Sequence, residues 1–371
     1  MPLYQTPLPV SRIFSTYDAL VGYFLLLLIS VPITSHALLI EQLPNYKIVD
    51  NDLLSRDNLA LVNRYQVDYQ YQAVTSHGKQ YRLGQFSKST VNLTNQPTLT
   101  PVLTKFLVLH DSEDAAFDSG LQTIAQSGGT LWVLENKENR NLYDFASDQL
   151  THSDPNRMFW QLSDPLLTSK PVSDKSMPSK AQPIQIAADV ADNNNDEVND
   201  NAEFANYLLE QLGVNQTFNH LGNDNLDNKL GTNKQPILVA LHNNRAKGNF
   251  GVNYIDEFGN TQVACQHDQE PKNLIWLASA ESQILDKKHK KNQKLIEQLC
   301  QTNRVNVVIE TAPTVADGDG SLSIYMTNRY PQWQYVNIEI KAGKKGDPVD
   351  ETRAKTDQLR YINVLKSVLT K

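Results

Sequence analysis

The chain has few cysteines, no excess of positive charge and only one long hydrophobic run. Its two cysteines, Cys265 and Cys300, are too few among 371 residues for a disulfide framework, and their spacing fits no cysteine-based metal site. The 41 acidic residues outnumber the 34 basic ones, which disfavours binding to a phosphate backbone. We therefore expect no nucleic-acid partner. The composition also excludes collagen-like, coiled-coil and multi-span membrane proteins.

The one dense basic cluster, residues 286–291 (DKKHKK), falls in a helix predicted over residues 282–301. Apolar residues recur at helical spacing on the opposite stripe of this helix, which is typical of a helix with one solvated face. We interpret the cluster as that solvated face, and not as a site for nucleic acid.

The hydrophobic run covers residues 19–34 and is followed by Ser35-His36-Ala37. Its length is short for a membrane span, and a small-x-small ending favours cleavage by a signal peptidase. Residues 1–37 are therefore predicted to be a secretory signal, with an uncleaved inner-membrane anchor as the alternative. Both interpretations predict an exported, periplasmic protein. In that compartment Cys265 and Cys300 could form a disulfide, although two unrelated buried thiols remain the alternative.

The remaining chain is predicted to be an α/β domain with a small β-rich extension before it. Residues 38–100 are rich in polar and aromatic side chains, with alternation over residues 65–71 and a turn at residues 76–79, which indicates a hairpin or small sheet. In residues 101–371, short apolar runs alternate with segments that have the periodicity of helices. This pattern predicts a mixed, largely parallel central sheet flanked by helices. A polar insertion at about 164–235 interrupts the domain. The predicted strands are residues 105–110, 130–135, 236–242, 273–278, 305–310 and 335–340.

Two histidines stand at the ends of predicted strands. His110 closes the run KFLVLH, and Glu113 follows at the start of a predicted helix. This His-x-x-Glu spacing lets an imidazole and a carboxylate converge on one zinc ion. His242 closes the run PILVALH in the same way, and ligands gather outside the carboxyl ends of strands in open α/β sheets. The alternative is that each histidine only caps its strand. A second His-x-x-Glu, His267 to Glu270, lies in a segment predicted to be a loop, and we interpret it as a chance match.

Residues 154–159 (DPNRMF) bring together the carboxylate of Asp154, the amide of Asn156 and the guanidinium of Arg157. The alternative to a functional site is an ordinary turn, in which Asp154 caps the backbone and Pro155 sets φ. Arg140 lies 17 residues before Arg157, and Glu339 lies on the last predicted strand. The ordered set resembles the zinc carboxypeptidase family, whose pattern runs His-x-x-Glu, an isolated Arg, Asp-x-Asn-Arg before an aromatic, a strand-terminal His and a late Glu. The resemblance covers the chain from about residue 105 to its end.

The resemblance implies that His110, Glu113 and His242 bind one zinc ion. Two imidazoles and one carboxylate leave an open fourth position on the metal, where a bound water becomes acidic enough to ionise near neutral pH. The resemblance also implies that Asp154 orients His110 through its second ring nitrogen.

The other matched residues would act on the substrate. Glu339 corresponds to the general base, which takes a proton from water and passes it to the leaving nitrogen. Arg140 would stabilise the oxyanion that develops on the carbonyl. Asn156 and Arg157 would bind the substrate's terminal carboxylate, because a guanidinium can donate two parallel hydrogen bonds. For Arg140 and Glu339, the alternatives are a surface arginine and an outward residue of an edge strand.

The predicted function is an exported zinc-dependent hydrolase that cleaves an amide bond beside a free carboxylate, on peptides, cell-wall stem peptides or another small carboxylated substrate. A deacylase of small N-acyl amino acids and a non-catalytic envelope protein that binds a carboxylated ligand are the alternatives. The chain departs from the family pattern in three places, the first of which is the long polar insertion between Arg157 and His242. Asn243 follows His242 where a small residue is expected. The tyrosine expected to cover the substrate is not clearly assigned, with Tyr325 and Tyr330 as candidates.

Overall fold

The structure is a computed structural model. It describes residues 46–49, 56–88, 104–159, 195–214, 236–244, 250–254, 261–280, 290–312 and 321–370. The chain divides into two units, Met1–Tyr46 and Lys47–Lys371. Every helix and strand named below belongs to the second unit, except that the first residue of β1, Tyr46, is assigned to the first unit. The predicted signal at 1–37, most of the predicted insertion at 164–235 and part of the basic cluster lie outside the described residues. No helix within the described ranges is long and apolar enough to cross a membrane.

A ten-stranded sheet organises the second unit, and a short two-stranded sheet accompanies it. In chain order the strands are β1 (Tyr46–Val49), β2 (Asp68–Ser76), β3 (Lys79–Lys88), β4 (Thr104–Val108), β5 (Gly129–Glu135), β6 (Tyr143–Asp144), β7 (Gln149–Leu150), β8 (Ile237–Asn244), β9 (Thr261–Cys265), β10 (Leu274–Ala280), β11 (Val307–Ala312) and β12 (Gln334–Lys341). The large sheet has the order β1-β2-β3-β5-β4-β8-β12-β10-β11-β9, and β6 pairs with β7.

The predicted α/β class and mixed sheet are confirmed, and all six predicted strands are present with shifted ends. The expectation of a largely parallel sheet is wrong. Parallel pairs join β5, β4, β8 and β12 in the centre, and β10 to β11. Antiparallel pairs join β2 to β3, β3 to β5, β12 to β10 and β11 to β9. Continuous apolar runs indicate that a strand is buried on both faces, but they do not indicate whether it runs parallel or antiparallel to its neighbours.

The β2–β3 hairpin turns at His77-Gly78, where both residues have positive φ. Because β3 also pairs with β5, the hairpin extends the central sheet and does not form a sheet of its own. The helices are α1 (Arg56–Tyr65), α2 (Asp114–Ser127), α3 (Asn195–Gln211), α4 (Lys290–Gln301), α5 (Leu322–Arg329) and α6 (Pro348–Leu369).

The main hydrophobic core lies on one face of the central strands, under α2, α4 and α6. Leu241 of β8 and both Ile338 and Ile340 of β12 belong to this core. Because side chains alternate along a strand, His242 and Glu339 project from the opposite face. The core therefore fixes the face of the sheet on which the polar residues meet.

A disulfide joins Cys265, at the end of β9, to Cys300 in α4, with 5.8 Å between the two Cα atoms. Of the two alternatives that the sequence leaves open, the structure has the bonded pair. The bond ties an edge strand of the sheet to a helix of the core face.

Candidate metal centre

A tight turn after β4 brings His110 and Glu113 together. The backbone N–H of Glu113 donates to the His110 carbonyl at 3.0 Å. Glu113 is the residue that precedes α2, yet its side chain does not cap the helix. Its carboxylate instead faces the imidazole, with Glu113 Oε1 3.0 Å from His110 Nδ1. Both side chains are buried.

His242 reaches the same point from β8, the strand next to β4 in the sheet. Its Nδ1 lies 3.3 Å from the second carboxylate oxygen of Glu113, at ion-pair distance. The following residue, Asn243, accepts a hydrogen bond from the Ala116 N–H at 2.9 Å and donates to Gln358 at 3.3 Å. Asn243 therefore anchors the end of β8 to α2 and α6, which gives this departure from the family pattern a structural role.

His110, Glu113 and His242 form a buried cluster that could hold a metal ion. One ligand atom from each residue lies within 4.8 Å of the other two. Among the residues that the structure describes, no other group of three histidine, cysteine or acidic side chains meets this condition. The Nδ1 atoms of both rings face the shared carboxylate, so the three donors converge on one point from two strand ends and one helix start.

The electrostatics of the cluster favour a cation at its centre. Burial alone would lower the pKa of His110, but the carboxylates of Glu113 and Asp154 outweigh burial and raise the pKa to about 9. Burial would raise the pKa of Glu113, whereas the two imidazoles outweigh it and lower the pKa to about 2. The pKa of His242 is raised because Glu339 and Glu113 outweigh burial. His110 is therefore protonated at neutral pH when no metal is bound, and metal binding would release that proton.

Asp154 holds His110 from behind the cluster. Its Oδ1 lies 2.9 Å from His110 Nε2 and accepts from the Asn156 N–H at 2.9 Å, which caps the 3₁₀ turn Pro155–Arg157. Burial would raise the pKa of Asp154, but His110 and Arg140 hold it well below its usual range. This contact fixes the orientation of the ring and leaves Nδ1 directed at Glu113. His242 has no equivalent support, since its buried Nε2 has no hydrogen-bond partner among the described residues.

Arg140 is attached to the centre through Asp154. Its Nε and one terminal nitrogen both donate to Asp154 Oδ2, at 3.1 and 3.0 Å. The loop that carries Arg140 has Lys137 and Glu138 at positive φ, near 50° and 58°. Asp111, beside His110, accepts the Glu138 N–H at 2.6 Å and steadies this loop. No motif of the sequence marks Asp111, and its position directly after His110 is its one local signal.

Glu339 lies next to His242 in the sheet. The parallel register of β8 and β12 pairs the two residues directly, and both project from the site face. Burial raises the pKa of Glu339, and Glu113 adds to the increase, against the opposing effect of His242, His110 and Arg140. The carboxyl group is therefore close to the cluster of His110, Glu113 and His242 without belonging to it.

Asn156 and Arg157 lie in the 3₁₀ turn that Asp154 begins, so they are fixed beside His110 through that residue. Asn156 Oδ1 is buried and has no hydrogen-bond partner within the described ranges. Phe159 follows the turn and packs against Tyr325 of α5, with ring centroids 5.8 Å apart, and Tyr325 in turn contacts Tyr330. Both tyrosines are largely buried, and they form one aromatic group with Phe159.

The second His-x-x-Glu takes no part in a cluster of this kind within the described residues. Glu270 pairs with Lys341 at 2.8 Å, and His267 lies on an exposed loop. The two copies of the motif differ in their local structure. The first copy spans a strand-to-helix turn with Glu113 at the start of α2, whereas the second copy lies in a loop.

Comparison of the sequence with protein-family models and with curated proteins finds no match.

Proposed function

We propose that the protein is a zinc-dependent hydrolase that cleaves an amide bond beside a free carboxylate, in the manner of the zinc carboxypeptidases that its motifs resemble. The observation that carries this proposal is the buried His110, Glu113 and His242 cluster with Glu339 on the adjacent strand. A metal-ligand set and a separate carboxyl group on one face of a sheet are the components that such chemistry requires.

The donor set fits zinc. Two imidazoles and one carboxylate are a ligand set that catalytic zinc sites use, and they leave a coordination position open. The two oxygens of Glu113 face the two imidazoles, at 3.0 Å from His110 Nδ1 and 3.3 Å from His242 Nδ1, so all three donors lie close enough to share one cation. Zinc in this set supplies Lewis-acid chemistry and the activation of water.

Glu339 acts as the general base of the proposed reaction. Its burial raises its pKa, so the carboxylate is a better proton acceptor than an exposed glutamate. It takes a proton from the attacking water and gives that proton to the leaving amine nitrogen. Its position beside His242 gives it access to the water without making it a ligand.

The arginines act on the negative charges of the substrate. Arg140 stabilises the charge that develops on the carbonyl oxygen, while Asp154 holds its guanidinium in a fixed orientation. Arg157 and Asn156 bind the terminal carboxylate, for which a planar guanidinium offers two parallel hydrogen bonds. The substrate is therefore a peptide or a related small molecule with a free carboxylate next to the cleaved bond.

We further propose that the protein is exported. The Cys265–Cys300 disulfide supports this, because such bonds form and persist in oxidising compartments.

The substrate requirement provides the test. Purified zinc-loaded protein is incubated with a peptide that ends in a free carboxylate and with the same peptide amidated at its C-terminus. We expect release of the last residue from the free acid only. Arg157→Lys should raise KM for this peptide more than it lowers kcat, since lysine cannot form the paired contact. Equal cleavage of both peptides, or cleavage of neither across a mixed peptide and muropeptide pool, contradicts the proposal.

A further inference from the structure

Helix α3 is bonded at one end to strand β4 and at the other to the loop that carries Asp154. At the amino end of β4, the ammonium group of Lys105 donates to the carbonyl of Leu212, directly after α3, at 2.5 Å. A cation is favourable there, because the C-terminal end of a helix carries partial negative charge. Near its other end, Asn201 Nδ2 donates to Ser153 Oγ at 2.6 Å. The helix therefore links the start of β4 to the residue that precedes Asp154.

The lengths of the helix and the strand match between these two contacts. Asn201 and Leu212 are 11 positions apart, which corresponds to about 16 Å along a helix. Lys105 and His110 are five positions apart, which corresponds to about 16 Å along a strand. Since its C-terminal end lies at Lys105 and Asn201 lies beside the Asp154 turn, α3 runs in the opposite direction to β4 and spans the same distance.

Buried contacts fix α3 on the sheet. Phe204 is buried and stacks on Tyr81 of β3, with 4.6 Å between the ring centroids. The Tyr81 hydroxyl also donates to Asn201 Oδ1 at 3.1 Å, so the Asn201 amide is bonded through both its oxygen and its nitrogen. Farther along the helix, the Tyr207 hydroxyl donates to Gln72 Oε1 of β2 at 2.6 Å. These contacts give the Asn201 amide a fixed orientation.

Ser153 connects this amide to Asp154. The Ser153 carbonyl accepts from the Leu142 N–H at 2.9 Å, and its hydroxyl accepts from Asn201. The next residue, Asp154, has its Oδ1 2.9 Å from His110 Nε2. A displacement of Ser153 would therefore move the carboxylate that sets the direction of the His110 ring.

Resting on the metal centre of the proposed function, we propose that α3 is a brace for that centre and that Asn201 is a positioning residue for His110. Asn201 acts through Ser153 on Asp154. Asp154 in turn keeps His110 Nδ1 directed at Glu113. None of the motifs that resemble the zinc carboxypeptidases includes α3, so the brace is a feature of this chain's own insertion.

The zinc affinity of the full chain, measured by competition with a chromophoric chelator, tests the brace. Asn201→Ala removes the donor to Ser153, and we expect the affinity to fall by about 3- to 10-fold, less than for a direct partner of a ligand. Tyr207→Phe is the matched control, because it removes a hydrogen bond between α3 and the sheet that does not reach Ser153. It should lower the unfolding temperature but not the affinity. Unchanged affinity in Asn201→Ala, or an equal loss in both variants, overturns the proposal.

Variants of Ser153 and Asp154 separate positioning from a general loss of stability. Ser153→Thr keeps the hydroxyl and should keep the zinc affinity, whereas Ser153→Ala should lower it as Asn201→Ala does. In the Asp154→Asn background, Asn201→Ala should cause no further loss, because its effect passes through that carboxylate. Additive losses in the double variant would show that Asn201 acts on the fold as a whole, and would overturn the proposal.

A measurement on the metal-free protein distinguishes failure of the brace from failure of the proposed function. The buried N–H between His110 Nε2 and Asp154 should give a downfield proton signal in the NMR spectrum, identified by its shift or loss in Asp154→Asn. We expect its exchange with solvent to be about 10-fold faster in Asn201→Ala, because a less restrained contact opens more often, and unchanged in Tyr207→Phe.

If the protein binds no zinc, the hydrolase assignment fails, but faster exchange in Asn201→Ala alone still supports the brace. Equal exchange rates in the unmodified protein, Asn201→Ala and Tyr207→Phe, or no such signal in the unmodified protein, overturn it.

Discussion

His242 and Glu339 are direct partners in the parallel register of β8 and β12. The two residues are 97 positions apart in the chain, yet the sheet sets them side by side on one face. Pairing in this register gives each side chain a fixed neighbour, so the spacing between a candidate metal ligand and a candidate base depends on backbone hydrogen bonds. Rigid placement of this kind is what general base catalysis requires of its carboxyl group.

Glu339→Gln is expected to separate metal binding from catalysis. The amide cannot accept a proton from water, so kcat should fall by about 10²- to 10⁴-fold. Zinc content should remain at the level of the unmodified protein, because Glu339 is outside the ligand cluster. Steady-state kinetics and elemental analysis on the same sample provide the two measurements.

Glu270→Gln is the matched control for that variant, since Glu270 ends the second His-x-x-Glu and pairs with Lys341. It should keep both zinc and turnover. Undiminished turnover in Glu339→Gln would remove Glu339 as the base, and loss of zinc would show that it belongs to the metal site.

Asp154→Asn should weaken metal binding without abolishing it. Asparagine retains an oxygen that can cap the turn at Asn156, but it loses the charge that orients His110 and attracts Arg140. We expect zinc affinity to fall by about 10- to 100-fold. Competition with a chromophoric chelator measures this change. Asp148→Asn, at an exposed carboxylate that pairs with Lys137, should leave the affinity as it is, and an equal loss there would refute the specific role of Asp154.

The sequence predicted the central strands well because their burial leaves continuous apolar runs. It did not predict α5, whose residues from Leu322 to Thr327 are all buried, so the helix has no polar face and no periodic pattern. It also did not predict β9, an edge strand whose residues are mostly exposed. The direction of each strand and the attachment of the β2–β3 hairpin depend on pairing between distant segments. The local amino-acid sequence does not specify this pairing.

The same limit applies to the site. The positions of His110 and His242 after apolar runs correctly predicted that both lie at strand ends. Their convergence follows from the neighbouring positions of β4 and β8 in the sheet, which the sequence alone does not specify. The support from Asp111 and Asn243 is carried by hydrogen bonds to residues 27 and 127 positions away, so no short motif reveals it.

Glu135→Gln should change how stability depends on pH. Burial and the neighbouring carboxylate of Asp111 raise the pKa of Glu135 to about 8, with Glu135 donating its proton to Asp111. The folded state therefore holds this proton more tightly than the unfolded chain. The stabilisation is complete below the ordinary glutamate pKa and is lost as the pH rises through about 8. Glutamine can donate the same hydrogen bond without titrating. The free energy of unfolding should thus fall less between pH 5 and pH 8.5 in the variant, and parallel curves would contradict the shared proton.

Metal content tests the central claim most directly, because the proposed hydrolysis depends on a cation among His110, Glu113 and His242. Purified protein, His242→Ala and His267→Ala are dialysed against buffered zinc and analysed for zinc per chain. We predict one zinc per chain for the unmodified protein and for His267→Ala, and none for His242→Ala. An unmodified protein without zinc, or His242→Ala with a full equivalent, would contradict the account.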